Sequence, residues 1–384
     1  MGSICLYSGG DIMSRFALLI SLVMLSGMAT AQPELPGLDS LGEGWNAMAT
    51  DGVCSAGTPY QFYVNPSAEN ADGEKLLLFF NGGGACWFGQ ACDLNSQPNV
   101  HTPMAHIEAN NPAMADGIFD LENPRNPFAG YSMVFVSYCN GDVHIGSGPR
   151  DYEYRTSEGV DVTVTTHHDG YRNSQAALQW VYENYPAPSR IVVSGSSAGA
   201  IGASFYAGLV AEHYSQTPVV LLADGAGGYS SANLHRVFEA WNVSDILPPW
   251  PEYAGQTNQS LTFEDFYIAS ALHNANLTIA QYNTAEDSVQ KNFTYLLGDA
   301  PASFKLPERI LNNYLQIENE VSEFYSYTAG GDFHTILGFP VFYEYEVEGV
   351  GFVEWVEDLI SGETVPDISC VNEIRGCSDA PVAE

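Results

Sequence analysis

The chain has 384 residues, of which 45% are hydrophobic, and its 12 basic and 46 acidic residues give a formal net charge of −34. A protein this acidic repels polyanions, which excludes direct binding to nucleic acid or to an anionic membrane surface as its function. The acidic residues are scattered along the chain, which indicates a solvated acidic surface. Length and hydrophobic content suffice for one large domain with a substantial core.

The first 31 residues are typical of a targeting segment. An apolar run over residues 16–28 follows Arg15, and the small residues at 29–31 match a signal-peptide cleavage site. The run is too short to cross a bilayer, and no later stretch is both long and apolar enough to insert stably. We expect a mature protein, secreted or periplasmic, that begins near Gln32, with Met13 as an alternative start to Met1.

Short apolar and helical patterns alternate along the remaining chain. Strands are predicted at Tyr60–Val64, Lys75–Phe80, Ser132–Ser137, Arg190–Ser194, Pro218–Ala223, Leu277–Tyr282 and Glu323–Tyr327. Helical spacing appears over Ser174–Tyr185 and Phe352–Ile360. This alternation predicts an α/β fold over residues 32–384, with a mostly parallel, doubly wound sheet covered by helices on both faces. Ligands then bind beyond the carboxyl ends of the strands.

The first loop with a chemical signal follows the strand at Lys75–Phe80. Three glycines after Asn81 expose backbone N–H groups with no side chain in the way. A glycine triplet alone usually marks a turn. Together with a downstream nucleophile, it predicts an oxyanion hole made by the N–H groups of Gly83 and Gly84, completed by that of Ala198.

The proposed nucleophile lies in the pattern Gly-x-Ser-x-Gly at residues 195–199. An arginine and three β-branched residues precede it, so the pattern predicts a buried strand that turns sharply into a helix. Ser197 then lies on a strained turn with its hydroxyl exposed above the sheet. The alternative is a structural turn of small residues that packs the helix closely against the strand.

A serine nucleophile needs a base, and the base needs an acid that orients it. His334 follows the last predicted strand in a glycine-rich loop, and its late position favours it over the other histidines. Candidate acids after Ser197 are Asp224 and Asp287, both near strand ends, and Glu286, and the residues alone do not separate them. The histidines considered and set aside are His144, His167, His168, His213, His235 and His273.

Residues 229–276 interrupt the regular alternation with an aromatic-rich stretch. An apolar cap over the site is one interpretation, because ligand pockets are largely apolar. The alternative is that these aromatic residues pack a small core of their own. Both interpretations are retained for different residues of the stretch.

Six cysteines follow the targeting segment, and an even number in an exported chain predicts three disulfides. Short spacing favours Cys86–Cys92 and Cys370–Cys377, which leaves Cys54–Cys139. Neither a CxxC nor an HExxH pattern occurs, so no metal site is predicted.

Taken together, these pieces resemble the pectin acetylesterase family, which includes plant cell-wall enzymes and animal carboxylesterases. The resemblance spans residues 44–362 and rests on Asn81–Cys86, Ser137–Gly146, Gly195–Gly199, Ala223–Asp224, Asp287 and Asp332–His334. It implies an α/β-hydrolase fold and a catalytic triad of Ser197, His334 and Asp287, with Asp224 outside the triad. Family members commonly carry an acidic residue before the glycines and a tryptophan directly after them. Here Asn81 and Ala85 occupy these positions and Trp87 comes two residues later, so the pocket wall beside the glycines differs.

We therefore expect an exported serine esterase that needs no cofactor. The resemblance implies O-acetyl esters on a polysaccharide as substrate, with pectin as the namesake. A carboxylesterase for small alkyl or lipid-like acyl groups is the alternative within the same class. From another class, the chain could be a non-catalytic carbohydrate-binding protein on a hydrolase scaffold. The retention of nucleophile, base and acid together argues against that last hypothesis.

Overall fold

The computed structural model describes residues 35–67, 75–97, 100–298, 305–372 and 376–378, and the expected targeting segment at 1–31 lies outside them. Within the described residues the strands are β1 (Asn46–Val53), β2 (Pro59–Asn65), β3 (Lys75–Phe80), β4 (Ser132–Val136), β5 (Gly148–Arg155), β6 (Asp161–His168), β7 (Arg190–Ser196), β8 (Val219–Asp224), β9 (Leu277–Thr284), β10 (Phe324–Ala329), β11 (Glu346–Val347), β12 (Val350–Gly351) and β13 (Ile368–Ser369).

Nine of these strands form one sheet in the order β1-β2-β4-β3-β7-β8-β9-β10-β13. The pairs β1–β2 and β2–β4 are antiparallel, and every other pair in this sheet is parallel. The parallel strands therefore deliver their carboxyl ends to one edge, where the chain enters the loops that carry the candidate site. Strands β5 and β6 form a separate antiparallel hairpin.

Helices connect the parallel strands. In the described part of the chain they are α1 (Gly89–Cys92), α2 (Gly170–Asn184), α3 (Ala198–His213), α4 (Leu234–Trp241), α5 (Glu264–His273), α6 (Ser288–Leu296), α7 (Leu306–Glu318) and α8 (Phe352–Ser361). Short 3₁₀ turns lie at Leu38–Ser40, Glu108–Asn110, Pro112–Met114, Gly117–Phe119, Val243–Asp245, Pro251–Tyr253, Pro340–Tyr343 and Cys370–Asn372.

The sheet is buried on both faces, as the side chains of β3 show. Leu76, Leu78 and Phe80 point to the face covered by α2, α3, α5 and α7. Leu77 and Phe79 point to the opposite face, which α8 covers with residues such as Trp355. Successive side chains of a strand alternate between faces, so a strand covered on both sides is apolar throughout. The predicted α/β fold with helices on both faces is confirmed.

All seven predicted strands and both predicted helices are present, with ends displaced by a few residues. The prediction omitted β1, the hairpin β5–β6 and the short strands β11 to β13. The hairpin was missed because its outward positions carry charged residues such as Asp151 and Glu153, and few of its side chains are buried. Pairing across the hairpin, rather than burial, holds these residues extended.

The three predicted disulfides are all confirmed. Cys54 bonds to Cys139, Cys86 to Cys92, and Cys370 to Cys377. The second bridge closes a short loop directly after the glycines that follow β3. No helix in the described ranges has the length and apolar character needed to cross a membrane.

Candidate active site

The predicted turn at Ser197 is strained, as the sequence pattern required. β7 ends at Ser196 and α3 begins at Ala198, so Ser197 alone makes the connection, with φ 57° and ψ −123°. Residues with a side chain rarely adopt this conformation, and it persists only where the surroundings enforce it. A Cβ at Gly199 would lie 1.9 Å from the carbonyl oxygen of Phe80, and one at Gly195 would lie 2.4 Å from that of Gly199. Glycine is therefore required on both sides of the serine.

Ser197 lies between two openings in the surface. Gly84 and Ala198 line an apolar cavity together with Ser197. Gly83 and His334 line an open groove that also reaches Ser197. In the described part of the chain, no backbone carbonyl accepts a hydrogen bond from the N–H of Gly83, Gly84 or Ala198. The Ala198 N–H is the first of α3, where the helix dipole favours negative charge.

The glycine loop is fixed through its carbonyl groups. The N–H of Thr102 donates to the carbonyl of Gly83 at 2.8 Å, and this peptide unit carries the N–H of Gly84. The hydroxyl of Tyr138 donates to the carbonyl of Gly84 at 2.7 Å. Anchoring the Gly83 carbonyl sets the direction of the Gly84 N–H before any substrate arrives, which is the requirement for an effective oxyanion hole.

A buried histidine supports the start of the same loop. His144 Nε2 lies 2.8 Å from the carbonyl oxygen of Asn81. Burial lowers the pKa of His144 to about 4, so the ring is neutral and donates its Nε2 proton to that carbonyl. Val143 and His144 both have positive φ, 47° and 68°. Neither Tyr138 nor His144 was predicted to support the site, although both lie in the 137–146 segment that carries the family resemblance.

His334 and Asp287 meet as predicted from the resemblance. His334 Nδ1 lies 2.6 Å from Asp287 Oδ2, and the carboxylate is fully buried while the imidazole is 18% exposed. Asp287 also caps α6, because its Oδ1 accepts the N–H groups of Val289 and Gln290, both at 2.9 Å. Gln290 Nε2 donates to Asp287 Oδ2 at 3.0 Å. Four donors thus fix the carboxylate in one orientation.

The other two candidate acids bind elsewhere. Asp224 is buried at the end of β8, and its Oδ2 accepts from the Ser196 hydroxyl and from the N–H groups of Ile336 and Leu337, at 2.9 to 3.0 Å. It therefore fastens the loop after His334 to the strand that leads into Ser197. Burial raises the pKa of Asp224 to about 6. Glu286 forms an ion pair with Lys291.

Ser197 and His334 reach the same groove, but no hydrogen bond joins them in the described part of the structure. The Ser197 hydroxyl interacts instead with the phenol of Tyr229, whose pKa is raised well above its usual value by burial. Bonds between nucleophile and base are often long before a substrate binds. Tyr229 is a further residue that the sequence analysis did not assign to the site.

The apolar cavity beside Ser197 is small, with a free volume of about 40 Å³. Ala85, one of the two positions that depart from the family pattern, and the displaced Trp87 both form part of its wall. The remaining apolar lining is Val143, Ile201, Tyr229, Leu234, Val237, Trp241, Phe263, Phe293 and Leu297.

Residues of the 229–276 segment line the cavity and also join the large core of the protein, rather than a small core of their own. Trp241 and Phe263 line the cavity. Trp250, Phe266 and Tyr267 are buried in the core on the face of the sheet that α3 covers.

One group of metal-ligating residue types occurs in the described residues, formed by Cys86, Cys92 and His168. The two sulfurs are joined in a disulfide. His168 Nε2 binds the Tyr152 hydroxyl at 2.8 Å, and its Nδ1 binds the carbonyl of Asn140 at 2.9 Å. The donor atoms of this group are therefore already engaged within the protein.

A mostly parallel sheet that presents a strained serine at a strand–helix turn defines the α/β-hydrolase fold. A family model described as pectinacetylesterase matches residues 45–240, which is more than half of the 384-residue chain. The chain therefore belongs to the pectinacetylesterase family, and the resemblance seen in the sequence is confirmed.

Three curated relatives are carboxylesterases by name. The palmitoleoyl-protein carboxylesterase NOTUM of Mus musculus is 24% identical over 168 residues, covering 42% of this chain and 30% of the relative. The palmitoleoyl-protein carboxylesterase notum1 of Xenopus laevis is 24% identical over 162 residues, with the same two shares. The inactive palmitoleoyl-protein carboxylesterase notum1b of Danio rerio is 28% identical over 99 residues, covering 26% of this chain and 68% of the relative. The chain thus spans about a third of the length of the first two.

Proposed function

We propose that this protein is a serine esterase that hydrolyses O-acyl esters, with Ser197 as nucleophile, His334 as base and Asp287 as the acid that orients it. One observation carries the proposal. A strained serine lies where an apolar cavity meets an open groove, and a histidine paired to a buried carboxylate at 2.6 Å opens onto the same groove. Membership of the pectinacetylesterase family supports the same class of reaction.

In the acylation step, Ser197 Oγ attacks the ester carbonyl carbon while His334 Nε2 takes the hydroxyl proton. The carbonyl oxygen becomes an oxyanion, which the N–H groups of Gly83, Gly84 and Ala198 stabilise. The tetrahedral intermediate collapses as His334 returns the proton to the departing alkoxide oxygen. The products are an acyl-Ser197 ester and a free alcohol.

Deacylation repeats these steps with water as the nucleophile. His334 removes a proton from water, the hydroxide attacks the acyl carbon, and Ser197 recovers its proton as the carboxylic acid leaves. Throughout, Asp287 accepts a hydrogen bond from Nδ1–H of His334. This bond keeps Nε2 free to act as a base and stabilises the imidazolium that forms. The four hydrogen bonds to Asp287 hold this geometry without further rearrangement.

The cavity and the groove suggest where the two parts of an ester substrate bind. The acyl group enters the apolar cavity, over which the 229–276 segment acts as a cap, and the alcohol lies in the open groove. By family, the leading substrate is an O-acetylated polysaccharide such as pectin. The confirmed disulfides support function in an oxidising compartment outside the cytoplasm, as a secreted or periplasmic protein.

The lining of the cavity favours a second candidate. The wall of the cavity is almost wholly apolar. A carboxylesterase for longer alkyl or lipid-like acyl groups uses such a wall, because each buried methylene stabilises the bound ester by about 0.8 kcal/mol. Two of the curated relatives are palmitoleoyl-protein carboxylesterases by name.

A chain-length series tests the function and separates the two candidates. We expect purified protein to hydrolyse p-nitrophenyl acetate and to release acetate from acetylated polysaccharide, with kcat/KM falling as the acyl chain lengthens. A maximum at a longer chain favours the lipid-like candidate. One relative is inactive by name, so the non-catalytic alternative is tested with Ser197→Ala beside Ser196→Ala. Hydrolysis that survives Ser197→Ala, or no hydrolysis of any ester, contradicts the proposal.

A further inference from the structure

The open groove on the other side of Ser197 has a lining that selects among alcohols. It has a free volume of about 890 Å³ and runs from Ser197 and His334 past the 3₁₀ turns at Glu108–Asn110 and Pro112–Met114 to Phe339. This volume is large enough for several sugar units of a polymer.

The charged residues that line the groove include two exposed carboxylates and, within the described residues, no lysine or arginine. The carboxylates are Glu108 and Asp116, both exposed to solvent. Two of the described cations outside the groove are paired with acids. Lys291 pairs with Glu286 close to the candidate acid, and Arg125 pairs with Glu354. The whole protein has a net charge of −34, so no long-range attraction compensates for the local repulsion of an anion.

The same groove exposes two large apolar side chains. Met114 is 66% exposed and Phe339 is 46% exposed, and both line the groove. Phe333 packs edge-on against Phe339, with ring centroids 5.5 Å apart, and holds that ring in place. The C–H faces of a pyranose ring are apolar while its edges carry hydroxyls, so a sugar can pack against such a ring and remain hydrated at its edge.

From this lining we infer that the alcohol part of the substrate is an uncharged sugar, and that the groove disfavours acylated uronates with free carboxylates. The inference rests on the proposed function and specifies its substrate class. A polyuronate that lies along the groove brings carboxylates toward Glu108 and Asp116, and the described lining holds no lysine or arginine to pair with them. A neutral or methyl-esterified sugar keeps the contact with Phe339 and avoids this repulsion.

The decisive test compares one polymer in two charge states. Acetylated polygalacturonate is prepared with its carboxyls methyl-esterified and, in parallel, free, and p-nitrophenyl acetate serves as the neutral reference ester. At about 0.01 M ionic strength, where the Debye length is roughly 30 Å, kcat/KM for the neutral form should exceed that for the free acid by about tenfold or more. The gap should shrink near 1 M, where the Debye length is roughly 3 Å. Equal or faster turnover of the free acid in dilute buffer overturns the inference.

Variants connect the selectivity to the named residues. The double variant Glu108→Gln, Asp116→Asn should lower the ratio of kcat/KM for the neutral polymer to kcat/KM for the free acid by about threefold. The double variant Glu357→Gln, Asp358→Asn removes two exposed acids on α8 outside the groove. It is the matched control and should leave the ratio of kcat/KM between the two polymers unchanged. Phe339→Ala should raise KM for the neutral polymer by about fivefold. Leu272→Ala, which removes another exposed apolar side chain, should not raise it. If the Glu108→Gln, Asp116→Asn variant leaves the ratio of kcat/KM between the two polymers unchanged, the electrostatic origin of the selectivity is refuted.

A binding measurement with an inactive variant tests the inference independently of the reaction. Ser197→Ala protein should bind neutral oligosaccharides more tightly than oligogalacturonates of equal length in calorimetric titrations at low salt. The opposite order overturns the substrate class even if ester hydrolysis is established. If p-nitrophenyl acetate is not cleaved by the unmodified protein, the proposed function fails, and the inference about its substrate fails with it.

Discussion

Replacing Asp287 by asparagine tests the acid in the proposed mechanism with almost no change in shape. Asp287 Oδ1 accepts two backbone N–H groups of α6, so the single oxygen of asparagine is held at that position. The new amide nitrogen then faces His334 Nδ1 in place of Oδ2. Since an amide nitrogen only donates, Nδ1 becomes the acceptor and the imidazole proton moves to Nε2. In this tautomer Nε2 cannot take the proton of Ser197.

We expect kcat of Asp287→Asn to fall by about 10⁴-fold, as for the equivalent change in a serine protease triad. This corresponds to a rise in the activation free energy of about 5 kcal/mol. The loss should fall on kcat and leave KM nearly unchanged, because Asp287 is buried and does not contact the alcohol or acyl sites. Initial-rate assays with p-nitrophenyl acetate give kcat and KM, and circular dichroism checks that the variant is folded.

Asp224→Asn is the matched control. Asp224 Oδ2 accepts all three of its hydrogen bonds, and an asparagine oxygen at that position accepts the same three. Activity should therefore fall by no more than about tenfold, since the loop after His334 stays fastened. If Asp224→Asn is the more damaging change while both variants are folded, the reasoning that places Asp287 in the triad is refuted.

Three further predictions concern stability and loop geometry. The double variant Cys86→Ser, Cys92→Ser should remain folded by circular dichroism but lose kcat on p-nitrophenyl acetate, because the bridge closes the loop after the oxyanion-hole glycines; unchanged kcat would contradict this. Burial raises the pKa of Asp224 from 3.8 to about 6. The protonated side chain therefore contributes its whole share of the folding stability below pH 3.8, and this contribution is lost as the pH rises through 6. Relative to the unmodified protein, Asp224→Asn should thus gain about 3 kcal/mol in unfolding free energy between pH 3.5 and 8, measured by urea titration. With a net charge of −34, Tm should rise with NaCl in scanning calorimetry, and a fall would contradict the repulsion argument.

The part of the fold that could be predicted from sequence is the buried parallel sheet. Strands such as β3 and β8 are covered on both faces, so they appear as continuous apolar runs that few other structures produce. The hairpin β5–β6 could not be recognised in this way, because its charged residues are held extended by cross-strand pairing rather than by burial. Pairing of this kind leaves only a weak local pattern.

In the candidate site, too, only the residues with a local sequence signal could be predicted. Ser197 has a local signal, because the strained turn requires glycines at fixed positions on both sides. The residues alone left Asp224, Glu286 and Asp287 open, since contact with His334 depends on the path of a loop more than 40 residues away. A local clue did exist: Gln290 lies three residues after Asp287, the spacing of a helix capping pair, and it marks Asp287 as the buried cap of α6. The supports of the glycine loop, Tyr138 and His144, come from a distant segment and have no local pattern of their own.

The most direct test of the central claim is covalent labelling of the nucleophile. A fluorophosphonate reacts with a serine only when a base activates it and an oxyanion hole receives the charge, so it reports the assembled site rather than a single residue. Intact-mass measurement should show one label for each chain, and peptide mapping should place it on Ser197. Ser196→Ala should still be labelled, whereas Ser197→Ala should not. A label on another serine, or equal labelling of Ser197→Ala, would contradict the account.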